Sequence, residues 1–93
     1  MIKYLTVFLL SCGLTTVRPK LEMKMAAAAF MAAQKVNAAE LATNDYRKAE
    51  HYYLKASSAY RRKYFNDALR YAQASIKFSE RAEYLAKRVA LLD

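Results

Sequence analysis

Residues 65–89 read FNDALRYAQASIKFSERAEYLAKRV, and within them Phe65, Ala68, Ala72, Ser75, Ser79, Ala82, Ala86 and Val89 recur at alternating steps of three and four. That is the a/d spacing of a helix seam. All the rungs between the two ends are Ala or Ser. Side chains this small let a partner helix approach closely, so the seam gains packing contact rather than deep apolar burial. The stretch predicts a long packing helix over about 66–91.

Upstream lies a second stripe, Tyr46, Ala49, Tyr53, Ala56 and Tyr60, with Tyr52 and Ala59 at its edge. Arg47, Lys48, Glu50, His51, Lys55 and Arg61 occupy the opposite face. Phase decides whether this helix runs straight into the next. Continuing from Tyr60 by the same steps reaches Lys63, Asp67 and Arg70, all charged, whereas the ladder sits two residues out of phase. Two residues turn a helix by about 200°, so an unbroken rod would point its stripes in opposite directions. A reversal near residues 63–66 brings them together, with Asn66 placed as a cap. The pattern therefore predicts an antiparallel hairpin of helices at about 46–62 and 66–91. Leu69, Ile76 and Tyr84 widen the seam on the side where a further helix would lie. Glu83 and Lys87 form an i,i+4 pair, and Lys87 and Arg88 suit the C-terminal end of the helix dipole.

That further helix is predicted over about 20–42 from the run Met25 to Ala33 and from Val36, Ala38, Ala39 and Leu41. Pro19, the single proline, stands at its start. Only ten residues separate Lys24 from Lys35, too few to span a bilayer. Thr43, Asn44 and Asp45 follow and offer N-cap oxygens to the hairpin's first helix. The fold expected is all-α: an Ala/Ser-seamed hairpin packed with an Ala-rich N-terminal helix.

Composition agrees. One Gly, one Pro and abundant Ala, Lys, Arg, Leu and Tyr leave little from which to build strands and turns. With 93 residues and an apolar fraction of 56% inflated by Ala, the core is limited, and self-association or another partner would help it. Sixteen Lys and Arg against eight Asp and Glu give a formal charge of +8. The balance favours anionic partners. The charge is spread along the chain, and its one dense run is the basic cluster Arg61, Arg62 and Lys63.

The N-terminus has a different character. Lys3 precedes an apolar run, Tyr4 to Leu10, and then Ser11, Cys12 and Gly13. This is the layout of a secretory signal peptide. Tyr4 to Val17 is fourteen residues, short of a transmembrane helix. The single cysteine can form neither an internal disulfide nor a Cys-based zinc site. Its setting, Leu9-Leu10-Ser11-Cys12, resembles the lipobox of bacterial lipoproteins, in which a Leu three residues before the Cys and a small residue just before it direct lipid transfer to the thiol. Leu10 is larger than the usual middle residue. The resemblance implies a signal peptide at 1–11, lipidation at Cys12, a tether over 12–19 and one helical domain over 20–93, held to a membrane by acyl chains. The competing reading is a buried, inert cysteine.

The rest of the chain agrees with that resemblance. Ala39, Leu41, Tyr46, Ala49, Leu54 and Ala56, then Tyr64 and the ladder from Ala68 to Ala86, resemble small bacterial envelope lipoproteins with an Ala-rich helical-hairpin domain of unknown function. In that family the domain sometimes precedes an outer-membrane-protein-A-like peptidoglycan-binding module. This sequence differs in lacking a proline where the hairpin begins and in placing Ser at two rungs, and the 93 residues hold no such module. The family brings no catalytic residues. The hairpin also resembles one tetratricopeptide unit, through Ala56, Ala68, Ser75 and Phe65, but no second copy follows to stack on it.

Other constellations are weak. His51, the only histidine, has no Cys or second His to complete a metal site. Glu80 and Glu83 share a face, as acid–base pairs do, but among Arg81 and Lys87 they read as ion-pairing residues. Tyr60-Arg61-Arg62-Lys63-Tyr64 has the aromatic and basic interleaving of single-strand binders. The periodicity instead assigns Tyr46, Tyr53 and Tyr60 to the hairpin core. No cofactor or metal is called for, and an enzyme is not expected. The leading expectation is a membrane-anchored bacterial envelope lipoprotein, at the outer membrane or the periplasmic side of a membrane. Its helical scaffold would bind an envelope protein or an anionic envelope polymer. The alternative is a soluble, basic, tetratricopeptide-like adaptor that binds nucleic acid.

Overall fold

The helix-forming composition fills the described chain, and two of its three breaks fall at a residue with a left-handed backbone, Asn37 and Lys63. A computed structural model describes residues 18–92, so Cys12 and the lipobox residues Leu9, Leu10 and Ser11 lie outside it. The helices are α1 (Lys20–Lys35), α2 (Ala38–Leu41), α3 (Thr43–Arg61) and α4 (Phe65–Leu92), with no strand among the described residues. The protein is all-α, with three main helices.

The helix expected over 20–42 is in fact two pieces. Asn37 sits between them at φ 61°, in the left-handed region that Asn tolerates better than most residues. Its side-chain amide donates to Glu40 Oε2 at 3.2 Å, holding the bend. The expected cap at residues 43–45 does not form either. Ala42, which lacks a side-chain oxygen, occupies the N-cap of α3. Thr43 Oγ1 instead donates back to the carbonyls of Ala39 (3.0 Å) and Glu40 (3.3 Å). Asp45 still sits in the first turn, where the dipole favours it, and also pairs with Arg81 Nε at 3.4 Å.

The reversal after α3 falls where phase demanded it. The Lys63 N–H donates to the Tyr60 carbonyl (3.1 Å) and the Tyr64 N–H to the Ala59 carbonyl (2.9 Å), with Lys63 at φ 67°. This is the paired-bond helix stop usually built on Gly, here built on Lys. Asn66 is inside the first turn of α4, so it is not the cap expected of it.

α4 packs most extensively on α3 and next on α1. Its six inner rungs, Ala68, Ala72, Ser75, Ser79, Ala82 and Ala86, are fully buried, while Phe65 and Val89 are half-buried ends. Ala26 of α1, Ala56 of α3 and Ala72 meet in one cluster. Ala33, Ala38 and Ala42 meet Ala82 and Ala86 in another. Three helices thus converge on one seam, and Ile76, expected to widen it toward the first helix, packs against the cluster that contains Ala26. Tyr84, assigned to that side, is exposed under the Arg88 guanidinium.

Candidate functional site

The two polar rungs differ. Ser75 Oγ donates to the Ala49 carbonyl of α3 at 3.0 Å, a buried bond between helices. Ser79 Oγ is equally buried and has no hydrogen-bond partner among the described residues. The seam offers neither a cavity nor a reactive group. It is structural.

Aromatic rings close the seam on both sides. Phe30 of α1, the one large side chain in the buried apolar core, stacks on Tyr46 (5.1 Å) and Tyr53 (5.5 Å) of α3. Gln34 Nε2 donates to the Tyr46 hydroxyl at 3.3 Å. Tyr46 and Tyr53 thus hold α1 to α3 and, half-buried, pack on the two alanine clusters of the core, while Tyr60 meets Phe65 of α4 edge-on at 5.7 Å. Across the other side, Tyr52 lies between Tyr71 (6.1 Å) and Phe78 (5.7 Å) of α4. Lys48 and Lys77 sit over Phe78, and Lys55 sits over Tyr71. His51 is exposed and touches Tyr52 edge-on at 5.2 Å.

The basic cluster Arg61, Arg62 and Lys63 is exposed at the hairpin turn. The fold brings other cations to the same end. Arg18 lies over the Phe65 ring at 5.6 Å, which places the start of α1 beside the start of α4. Lys20 and Lys24 flank a groove of about 380 Å³ between α1 and α3, floored by Met23, Ala27, Tyr53 and Tyr60. Lys55 and Arg62 line a second depression with Tyr64 and Tyr71. Sequence reasoning missed this grouping because its members come from three separated segments. The usable signal was the alternating direction of three successive long helices, which sets the start of α1 beside the 61–63 turn.

Glu83 holds Lys87 at 3.1 Å, and Glu80 is exposed. Among the described residues no group of three or more His, Cys, Asp or Glu side chains is placed to hold a metal ion. No described helix is long and apolar enough to cross a membrane. No protein-family model matches the chain, and no similar curated protein or solved structure was found for it.

Proposed function

We propose that the chain is a non-enzymatic bacterial envelope lipoprotein, tied to a membrane through Cys12, whose helical bundle scaffolds or binds another envelope component. The observation that carries this reading is Leu9-Leu10-Ser11-Cys12 directly after Lys3 and the apolar run Tyr4 to Leu10. A thiol at that point is the nucleophile that accepts the lipid, and acyl chains add about 0.8 kcal/mol of membrane affinity per buried methylene. The seam supports a scaffold role, since its buried rungs are committed to packing. The partners are an envelope protein, an anionic envelope polymer or a second copy of the chain. The location is the outer membrane or the periplasmic side of a membrane.

Labelled palmitate fed to a bacterial host should enter the wild type and not Cys12→Ala. Equal labelling of both, or none in either, removes the lipoprotein reading. The second reading, a soluble basic adaptor, draws on the Tyr52, Tyr71 and Phe78 stack with Lys48, Lys55 and Lys77 around it. Those rings are stacked on one another, which leaves less free aromatic face for bases than a single-strand platform needs.

A further inference from the structure

Charge that looks dispersed along the sequence is gathered by the fold. The Ala26, Ala56 and Ala72 cluster marks a level across all three long helices. On the side of that level where residue 18 lies, residues 18–25 and 57–71 carry seven Lys or Arg and two acids, Glu22 and Asp67. The described residues on the other side, 27–55 and 73–92, carry eight Lys or Arg and five acids. Asp67 is itself engaged by Arg70. The end beside residue 18 thus carries the larger share of the net charge, +5 against +3, on the shorter part of the described chain.

The same end exposes apolar groups among those cations. Leu21 is 64% exposed and Tyr64 57% exposed, and the groove between Lys20 and Lys24 is floored by apolar and aromatic side chains. Cations ringing insertable Leu and Tyr side chains match the boundary between lipid headgroups and acyl chains. Position supplies a further argument. Five residues lie between Cys12 and Arg18, six peptide steps in all. A fully extended tether of that length reaches at most about 20 Å. A membrane-held Cys12 would thus keep this end within about two Debye lengths of the headgroups at 0.1 M salt.

We infer that this end of the bundle, around Arg18, Lys20, Lys24 and the Arg61-Arg62-Lys63 turn, docks on anionic phospholipid headgroups. The choice of a membrane as the anionic partner rests on the lipoprotein reading above. The docking would be a second attachment signal and would set the bundle upright, with the α4 C-terminus pointing away. One lipid anchor and a basic patch together hold a protein that either alone holds reversibly.

The full chain carrying Cys12→Ala has no thiol to acylate, so it isolates the patch from the anchor. It should sediment with vesicles of phosphatidylglycerol and phosphatidylcholine far more than with phosphatidylcholine alone, since the apolar residues 4–10 favour neither. In that background, Arg61→Gln with Arg62→Gln should weaken binding to the anionic vesicles by about ten-fold or more. Lys87→Gln with Arg88→Gln removes the same charge from the far end and should leave binding within about two-fold, as charges beyond a Debye length are screened. Circular dichroism checks that both pairs remain helical. Equal losses for the two pairs, or no preference for phosphatidylglycerol, overturns the docking end. So does displacement from the vesicles by single-stranded DNA at equal phosphate concentration, which would assign the patch to nucleic acid. None of these results depends on palmitate labelling. A failed anchor with a working patch, and a working anchor with a failed patch, are separate outcomes.

Discussion

Ser75 and Ser79 stand one turn apart on the same face, both fully buried, and their hydroxyls are worth opposite amounts. Ser75 bonds the Ala49 carbonyl across the hairpin, and a net buried hydrogen bond contributes about 0.5–1.5 kcal/mol. Ser79 carries the desolvation cost of a hydroxyl with no partner among the described residues to offset it. Ser75→Ala should therefore destabilise by about 1 kcal/mol, while Ser79→Ala should be neutral or stabilise by up to about 1 kcal/mol. Thermal unfolding resolves the difference, because 1 kcal/mol moves Tm by about 4–8 °C in a domain of this size. Equal destabilisation by both would mean that Ser79 bonds a carbonyl of the preceding turn, as helical Ser often does. Nothing in the spacing distinguishes these two residues. Their difference depends on which of them faces a carbonyl on the neighbouring helix, and that is tertiary information.

The ladder of α4 meets Ala26 and Ala56 at Ala72, where three helices leave no room for a larger side chain. Ala72→Leu should cost about 1–3 kcal/mol through overpacking. Lys77→Leu, at an exposed position on the same helix, should change stability by less than about 1 kcal/mol, because Leu is a good helix former and only a surface cation–π contact is lost. Urea unfolding of the two variants makes the comparison. A more stable Ala72→Leu would show that the three helices stand further apart than this packing requires. Periodicity made the hairpin legible because a phase slip of two residues admits one solution, a reversal, and the chain reverses at Lys63. The break at Asn37 was not legible by the same means. No Gly or Pro marks it, and Asn carries the left-handed turn. Capping went wrong at residues 43–45 and at Asn66 for a related reason. An oxygen-bearing side chain suggests a cap, but only the tertiary position of the turn decides which residue takes the role.

For the molecule as a whole, Phe30 matters more than any other apolar side chain. Among the described residues the other buried apolar side chains are, apart from Pro19, alanines, each contributing a methyl group worth about 0.8 kcal/mol. Phe30→Ala should cost about 3–5 kcal/mol, against a total stability of about 5–15 kcal/mol for a typical domain. The expected result is release of α1 from a hairpin that persists, seen as early proteolytic cleavage within residues 20–35. Cleavage spread evenly along the chain would show instead that α1 and the hairpin unfold as one unit. The gathering of cations at one end also belongs to this scale, which is why the sequence reading found only its 61–63 fragment. The seam itself poses a problem of alignment. Its rungs repeat every seven residues, so sliding α4 along α3 by about 10.5 Å would set small side chains against small side chains again. Alanine on alanine fits almost equally well at either setting. The hairpin therefore behaves like a ruler with identical marks, and its zero must be fixed by features that do not repeat. Tyr52 held between Tyr71 and Phe78, Phe30 against Tyr46 and Tyr53, and Ser75 on the Ala49 carbonyl are those features. Without them the same helices would still associate, but as a mixture of offsets, in the way that one buried polar residue selects a single alignment in an otherwise uniform coiled coil.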